Sequence, residues 1–273
     1  MTDDIILRCE GVNKLYKQGE ETIYALRDVS MSVRRGEFLI LYGKSGSGKS
    51  TLLNVLSGFD VPTAGKVIIG GEDMAGMSDR QRARLRNEKI GFVFQSYHLL
   101  PILTARENIL SPLLIGKRPV NDSFFEELCS TLGITHRLEH LPSEMSGGEC
   151  QRVAVARAMI GQPDILFADE PTGNLDKHSA EELISLLKKA HDQFGQTILM
   201  VTHDIEFCAA YADRCAMFFD GEIVSVGTPK EFFAGNSFYT TAANRLAGAW
   251  FPDAITWEEV AKACEEAMMK AKS

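Results

Sequence analysis

The chain has 273 residues, 45% of them hydrophobic, and its 37 acidic against 29 basic side chains give a formal net charge of −8 at pH 7. That length supports a sizeable core, built as one large domain or as a core with a subdomain and a tail. The acidic balance, with no clustered basic block, argues against nonspecific nucleic-acid binding, which works by neutralising phosphates with Lys and Arg. No uncharged apolar stretch approaches the ~18 residues a membrane span needs, and the opening MTDDIILRCE lacks the charged-then-apolar pattern of a leader. Any membrane involvement is therefore expected to come through another chain. The cysteines at 9, 129, 150, 208, 215 and 264 form no Cys-x-x-Cys pair, so buried, reduced thiols suited to a reducing cytosol are expected.

Residues 5 to 42 alternate short apolar runs with turns: Ile5 to Cys9, a polar turn at Gln18-Gly19-Glu20, Val29 to Val33, then Phe38 to Tyr42 after Arg35-Gly36. Period-2 runs between glycine turns predict antiparallel sheet. Ser50 to Leu56 then predicts a helix stopped by Gly58, and Val67 to Ile69 a short strand. Ser78 with Gln81 three residues on has capping-box form and opens a charged helix to about Asn87. Ile90 to Phe94 predicts a further strand. From Tyr97 to about Glu144 the character changes. Pro101, Pro112 and Pro119 read as breaks around a helix at Phe124 to Leu132, which gives a mostly helical insert.

Beyond the insert, Ile165 to Ala168, Thr197 to Val201 and Cys215 to Phe219 are compact apolar runs of buried-strand type, separated by helical stretches such as Ala180 to Phe194. Alternating strand and helix implies a mainly parallel sheet. Asp220-Gly221 predicts a hairpin into Glu222 to Val226. Thr228-Pro229-Lys230-Glu231 joins an N-cap, a first-turn proline and an acidic third position. Thr256 and Glu259 repeat the capping box before an apolar-faced helix, so the last ~50 residues are expected to be ordered.

Two motifs carry chemistry. Gly43-Lys44-Ser45-Gly46-Ser47-Gly48-Lys49-Ser50-Thr51 matches the phosphate-loop pattern between an apolar strand and a helix. Its glycines allow backbone N–H groups to approach phosphates, and the helix N-terminus adds a favourable dipole. Lys49 is expected to reach the β- and γ-phosphates and Ser50 to ligate Mg²⁺. This loop specifies a ligand class, shared by kinases, GTPases, helicases and transporters. The second motif, Ser146-Gly147-Gly148-Glu149-Cys150, precedes the Asp169-Glu170 pair at the end of an apolar strand.

The segment MSGGECQRVAVARAMIGQPDILFADEPTGNLD, from Met145 to Asp176, resembles the signature-to-D-loop region of ABC-type ATPases. Tyr16, Gln95, Asp169-Glu170 and His203 stand in the family's order around it, and the resemblance covers residues 5 to about 227. It implies an α/β fold: a P-loop NTPase core with an antiparallel β subdomain, a mostly parallel core sheet, a helical subdomain and a C-terminal helical extension. The implied boundaries are 1–227 for the cassette, with the helical subdomain at about 97–160, and 228–273 for the extension.

In that family two cassettes meet head to tail, and ATP on one phosphate loop is closed over by the other's signature. The resemblance therefore implies trans contacts from Ser146, Gly147, Gly148 and Glu149, and a place at the dimer interface for Asp176. It implies Glu170 as general base, Asp169 and Gln95 at Mg²⁺, His203 at the γ-phosphate and Tyr16 stacked on adenine. The cofactors implied are ATP and Mg²⁺. The partners are integral membrane transporter subunits and a second cassette, identical or different, with no nucleic acid. The implied place is cytoplasmic, on the inner face of the cell membrane.

Met145 and Glu149 replace the first and last residues of the family's commonest Leu-Ser-Gly-Gly-Gln, and Cys150 stands where Gln is usual, a thiol that would be oxidisable if accessible. Stretches such as EKIGFVFQSYHLLPILTARENI look most like the branch of macrolide exporters, lipoprotein-releasing ATPases and the cell-division ATPase. The tail from 227 to 260 looks more like energy-coupling-factor importer ATPases. Export or extraction of a lipid, peptide or drug-like substrate is the leading expectation. A micronutrient importer, or a soluble ABC protein of translation or DNA repair, is the alternative.

Overall fold

A computed structural model of the chain describes residues 4–19, 21–234 and 240–272. Glu20 of the expected turn, and residues 235–239 of the expected tail, lie outside the described residues. Strands β1 (Ile5–Gln18) and β2 (Glu21–Arg34) form a long antiparallel hairpin. The short runs expected at Ile5 to Cys9 and Val29 to Val33 are parts of these continuous strands. Register shifts between Cys9 and Leu15 absorb the polar residues that interrupt the apolar alternation.

The chain continues through β3 (Phe38–Tyr42), α1 (Lys49–Leu56), β4 (Ala64–Ile69), β5 (Glu72–Asp73), α2 (Asp79–Lys89) and β6 (Ile90–Val93). Helices α3 (Ala105–Ile115), α4 (Asp122–Thr131) and α5 (Gly147–Met159) follow, with single 3₁₀ turns at Thr135–Arg137 and Pro142–Glu144. Next come β7 (Ile165–Asp169), α6 (Lys177–Phe194), β8 (Ile198–Thr202), α7 (Ile205–Tyr211), β9 (Arg214–Phe219) and β10 (Glu222–Gly227). Helices α8 (Pro229–Phe233), α9 (Ala242–Ala247) and α10 (Trp257–Lys272) complete the described elements.

Two sheets result. The order β2-β1-β4-β5 is antiparallel, and the order β10-β9-β3-β8-β7-β6 is parallel except at its β10 edge. Strands β3, β7 and β8 are apolar at almost every position because both faces of the larger sheet are covered. Their alternation assigns each side chain to a layer. Phe38, Ile40, Leu166, Ala168, Ile198 and Met200 join the cluster with α3 to α7, whereas Leu39, Leu41, Phe167, Leu199 and Val201 join the one with α1 and the smaller sheet.

Pro112 does not break the insert but lies inside α3. A proline there cannot donate to the carbonyl of Asn108 four residues earlier. The Ser111 hydroxyl donates to that carbonyl instead, at 2.8 Å. Helix α7, which the apolar pattern did not announce, is capped by Asp204, whose carboxylate accepts from Glu206 N and Phe207 N. The capping boxes expected at Ser78, Thr228 and Thr256 all form. Five cysteines are buried as expected, but Cys264 is exposed because it lies on the solvated surface of α10.

The extension begins as a tight clasp. Phe232, Phe233 and Ile255 enter the same apolar cluster as Phe207 and Cys208 of α7. Buried Asn244 donates to the carbonyls of Pro252 and Ala254 at 2.8 and 3.0 Å, and Thr240 Oγ1 donates to Asn244 Oδ1. Helix α10 projects further, leaving Met268 and Met269 exposed.

Phe233 is fully buried, so Phe233→Ala is expected to destabilise the protein by about 3 kcal/mol. In a thermal melt this should read as a fall in Tm on the order of 5–10 °C. An unchanged Tm would mean that the extension is not packed on α7.

Candidate functional site

The parallel strands bring the motifs together at their C-terminal edge. Tyr42 of β3 pairs with Thr202 of β8, and Asp169 of β7 pairs with Val201. The chain therefore leaves three neighbouring strands at one level, into the phosphate loop, Glu170 and His203. An open α/β sheet places its ligand crevice at this edge.

A cleft of about 730 Å³ opens there, lined by Ser45 to Thr51 together with Tyr16, Gln95 and Glu170. Gly48 precedes α1 in the left-handed region (φ 103°), and no side chain caps that helix, so its first N–H groups face the cleft. Two loop glycines are required by the chain's own packing. A Cβ on Gly43 would lie 2.2 Å from the Phe218 carbonyl oxygen, and one on Gly48 2.4 Å from that of Ala25. Gly46 faces open space. The Ser47 hydroxyl is buried without a hydrogen-bond partner.

Lys49 is buried, and its ammonium donates to the carbonyls of Gly43 and Lys44 at 2.8 Å each. Burial lowers its pKa, opposed by the nearby charges of Glu170 and Asp169. Ser50 Oγ donates to Asp169 Oδ1 at 3.0 Å. Burial raises the Asp169 pKa, partly offset by that hydrogen bond, so the carboxylate would gain from a cation beside it. Two adjacent oxygen donors suit a hard divalent ion. Among the described residues no group of three His, Cys, Asp or Glu side chains could hold a metal, so an ion at Ser50 and Asp169 would need phosphate oxygens of the nucleotide as further ligands.

Glu170 takes a positive φ of 44°, uncommon for a residue with a Cβ. Its N–H donates to Val201 O and its carbonyl accepts from Gly173 N, which hold the turn. The turn leaves one carboxylate oxygen 3.9 Å from Lys49 Nζ and the other 3.6 Å from His203 Nδ1. Gln95 packs against Gly173, where a Cβ would meet its amide at 2.6 Å, and its carbonyl accepts from Asn174. Tyr16 donates from its phenol to Asp60 Oδ2 at 2.7 Å.

The Ser146 run does not line this cleft. Ser146 caps α5 by accepting from Glu149 N. Glu149 is buried; one oxygen accepts from Ser146 N at 2.8 Å and the other from Arg137 Nε at 2.7 Å. Gly147 sits against the Tyr97 hydroxyl, at 2.6 Å from where its Cβ would be, and Gly148 lies beside Ser179. Asp176 caps α6, accepting from the backbone N–H and hydroxyl of Ser179. The buried Cys150 thiol donates to Pro142 O, and burial raises its pKa. It is therefore a poor target for oxidation.

A family model described as ABC transporter matches residues 26–173, slightly more than half of the chain. The chain belongs to the ABC transporter family. It is 41% identical over 228 residues to the lipoprotein-releasing system ATP-binding protein LolD of Pseudomonas fluorescens, covering 83% of this chain and all of that one. A dimeric, post-hydrolysis structure of the ATP-binding cassette MJ0796 with ADP and Pi is 38% identical, with a TM-score of 0.74 over 82% of this chain and 98% of that one. CbiO1 of Clostridium perfringens, part of the ABC transporter complex cbiONQ, is 28% identical, with a TM-score of 0.77 over 91% and 96%. This ABC transporter ATPase is thus an ATP hydrolase with the cassette fold expected from sequence.

The ABC cassette also brings residues to the cleft that no motif marked. Arg27, Tyr24, Asp220 and Gly221 line it from β2 and the β9–β10 turn. Gly221 N donates to Ser47 O at 3.0 Å, and Arg27 N donates to Gly221 O. The Asp220-Gly221 turn was legible as a hairpin, but its contact with the phosphate loop was not.

Glu149 supplies a pH test. The Ser146 backbone N–H lowers its pKa to about 2 from 4.5, aided by Arg137 and opposed by burial. A depressed carboxyl pKa stabilises the fold fully above 4.5, and the contribution disappears as pH falls through about 2. The Tm advantage of wild type over Glu149→Gln should be largest above pH 5 and shrink steadily below it. A difference independent of pH would refute the charged cap.

Proposed function

We propose that this chain is the ATP-hydrolysing subunit of a membrane transporter that exports or extracts a lipid, peptide or drug-like substrate, and that two cassettes close on ATP to drive it. The likeness to LolD, 41% over the whole of that protein, favours a lipoprotein-type substrate. The observation that carries the catalytic reading is Glu170, poised between Lys49 and His203 beside the Ser50–Asp169 pair.

In this reading residues 1–227 act as the cassette, about 97–160 as its helical subdomain and 228–273 as an extension. Tyr16 stacks on adenine, and the loop from Gly43 to Thr51 wraps the phosphates with Lys49 at the β- and γ-positions. Ser50, Asp169 and Gln95 would hold Mg²⁺, which supplies charge neutralisation at the phosphate oxygens. Glu170 takes the proton of the attacking water, and His203 orients the γ-phosphate. Ser146, Gly147 and Gly148 of a second cassette present the N-terminus of their α5 to that phosphate. Glu149 holds this turn through Ser146 N and Arg137 and belongs to the same trans contact, and Asp176 lies at the interface. The protein sits on the inner face of the cell membrane through its partner.

Glu170→Gln should retain ATP binding, lower turnover by at least about 100-fold, and accumulate an ATP-bound dimer in size-exclusion chromatography. Wild-type hydrolysis by this variant would refute the base assignment. Lys49→Ala should weaken nucleotide affinity at least about tenfold in a fluorescent-nucleotide titration, since it removes a charged phosphate contact.

A second reading, an importer ATPase, comes from the resemblance of residues 227 to 260 to energy-coupling-factor importer ATPases; CbiO1, part of the ABC transporter complex cbiONQ, matches 91% of the chain against 82% for MJ0796. Copurification in mild detergent separates the two. A subunit with few spans and a large outer domain supports extraction, and a multi-span integral coupling subunit supports import. Recovery of no membrane subunit would refute a transporter role.

A further inference from the structure

We infer that Asp60, backed by Lys14, is a positioning residue for the nucleobase, fixing the Tyr16 ring at the cleft wall at a set distance from the phosphate loop. The inference rests on the reading of Tyr16 as the residue that stacks on adenine.

Tyr16 stands on β1 with 41% of its surface exposed, and its ring lines the cleft. A ring so exposed has several side-chain rotamers open to it, and one that must be ordered by the base weakens binding. Asp60 removes that freedom. Its Oδ2 accepts from the Tyr16 phenol at 2.7 Å, while its Oδ1 accepts from Lys14 Nζ at 2.6 Å and from Val61 N at 2.7 Å. Lys14 also donates to Val61 O, and its ammonium lies 5.0 Å from the Tyr16 ring centroid. Lys14 is not among the cleft-lining residues. The cation therefore supports the ring without occupying the wall that faces the ligand.

The anchor is tied to the loop by the backbone. Asp60 N donates to Asn54 O of α1, the helix that begins at Lys49. Thr63 stitches the same segment to β1, with Leu15 N donating to its hydroxyl and its own N–H donating to Asn13 O. Helix α1 thus acts as a spacer between phosphate and base sites, with Asp60 at its far end. The ionisation states agree with this arrangement. Burial and Asp60 push the Tyr16 phenol up to about 12, which keeps it a donor. Burial opposes ionisation of Asp60, yet the Lys14 and Tyr16 hydrogen bonds lower its pKa on balance.

Steady-state hydrolysis of ATP and CTP by wild type, Asp60→Ala, Asp60→Asn, Tyr16→Ala and the Asp60→Ala/Tyr16→Ala double variant tests the inference. Tyr16→Ala should raise KM for ATP about tenfold by removing stacking. Asp60→Ala should raise it about threefold to tenfold, with kcat within about twofold and a reduced preference for ATP over CTP. Asp60→Asn, whose amide oxygen can take the Lys14 and Val61 donors while its NH2 donates to the Tyr16 phenol oxygen, should recover most of the loss. In the Tyr16→Ala background Asp60→Ala should change nothing further, because the two residues act as one unit. If Tyr16→Ala raises KM and Asp60→Ala does not, or if their effects add, Asp60 serves only the fold and the inference fails while base stacking stands. If Tyr16→Ala leaves KM unchanged, the base-stacking reading itself fails.

Discussion

The register of β3, β7 and β8 is the constraint on which the rest of this structure depends. Tyr42, Asp169 and Thr202 end neighbouring strands on one level, and the groups proposed for phosphate binding, proton removal and phosphate sensing follow directly from them. A slip of one residue would move every side chain of a strand to the opposite face. Such a slip would exchange the Leu166 and Ala168 layer for that of Phe167, and bury Asp169 away from Ser50. The two-sided apolar core therefore sets the site's geometry as well as the stability of the sheet.

Around that edge the protein holds charge in tension. Lys49 is buried and satisfied by its own loop's carbonyls, while Glu170 stands 3.9 Å away on a turn in the left-handed region. A negatively charged phosphate offers Lys49 stronger hydrogen bonds than neutral carbonyls do, so ligand binding can rearrange the cluster without first separating a tight ion pair. The β9–β10 turn restrains the loop from the other side through Gly221 and Ser47. At the Tyr16 wall of the cleft, Asp60 ties the ring to α1 through its own hydrogen bond to Asn54.

Much of this was visible in local pattern. The phosphate loop is defined by residue types at short spacing, the Ser146 run, the acidic pair and His203 stood out through the resemblance to ABC-type ATPases, and the caps at Ser78, Thr228 and Thr256 are local signals. Other features depended on distant partners. Pro112 read as a break because its accommodation relies on Ser111 and the packing of α3. Helix α7 is seven residues long, too short for a period to emerge. Glu149 was legible as part of the Ser146 run, but the hold of Arg137 on its carboxylate is a pairing that no spacing predicts. Cys150 read as oxidisable, and burial beneath Pro142 makes it inert.

The sequence by itself determined the family and the phosphate-loop pattern from Gly43 to Thr51, because a loop that wraps phosphates with backbone N–H groups demands glycines and a lysine at fixed neighbouring positions. It also determined where three of the described helices start, at the caps of Ser78, Thr228 and Thr256, since a capping box is closed within four residues. The tertiary structure alone decided which partner each of those groups meets: Glu170 with Lys49 and His203, Glu149 with Arg137, Tyr16 with Asp60, and Phe232, Phe233 and Ile255 with α7. These contacts join residues far apart in the chain, and their geometry comes from strand register and two-sided burial, which no local pattern encodes.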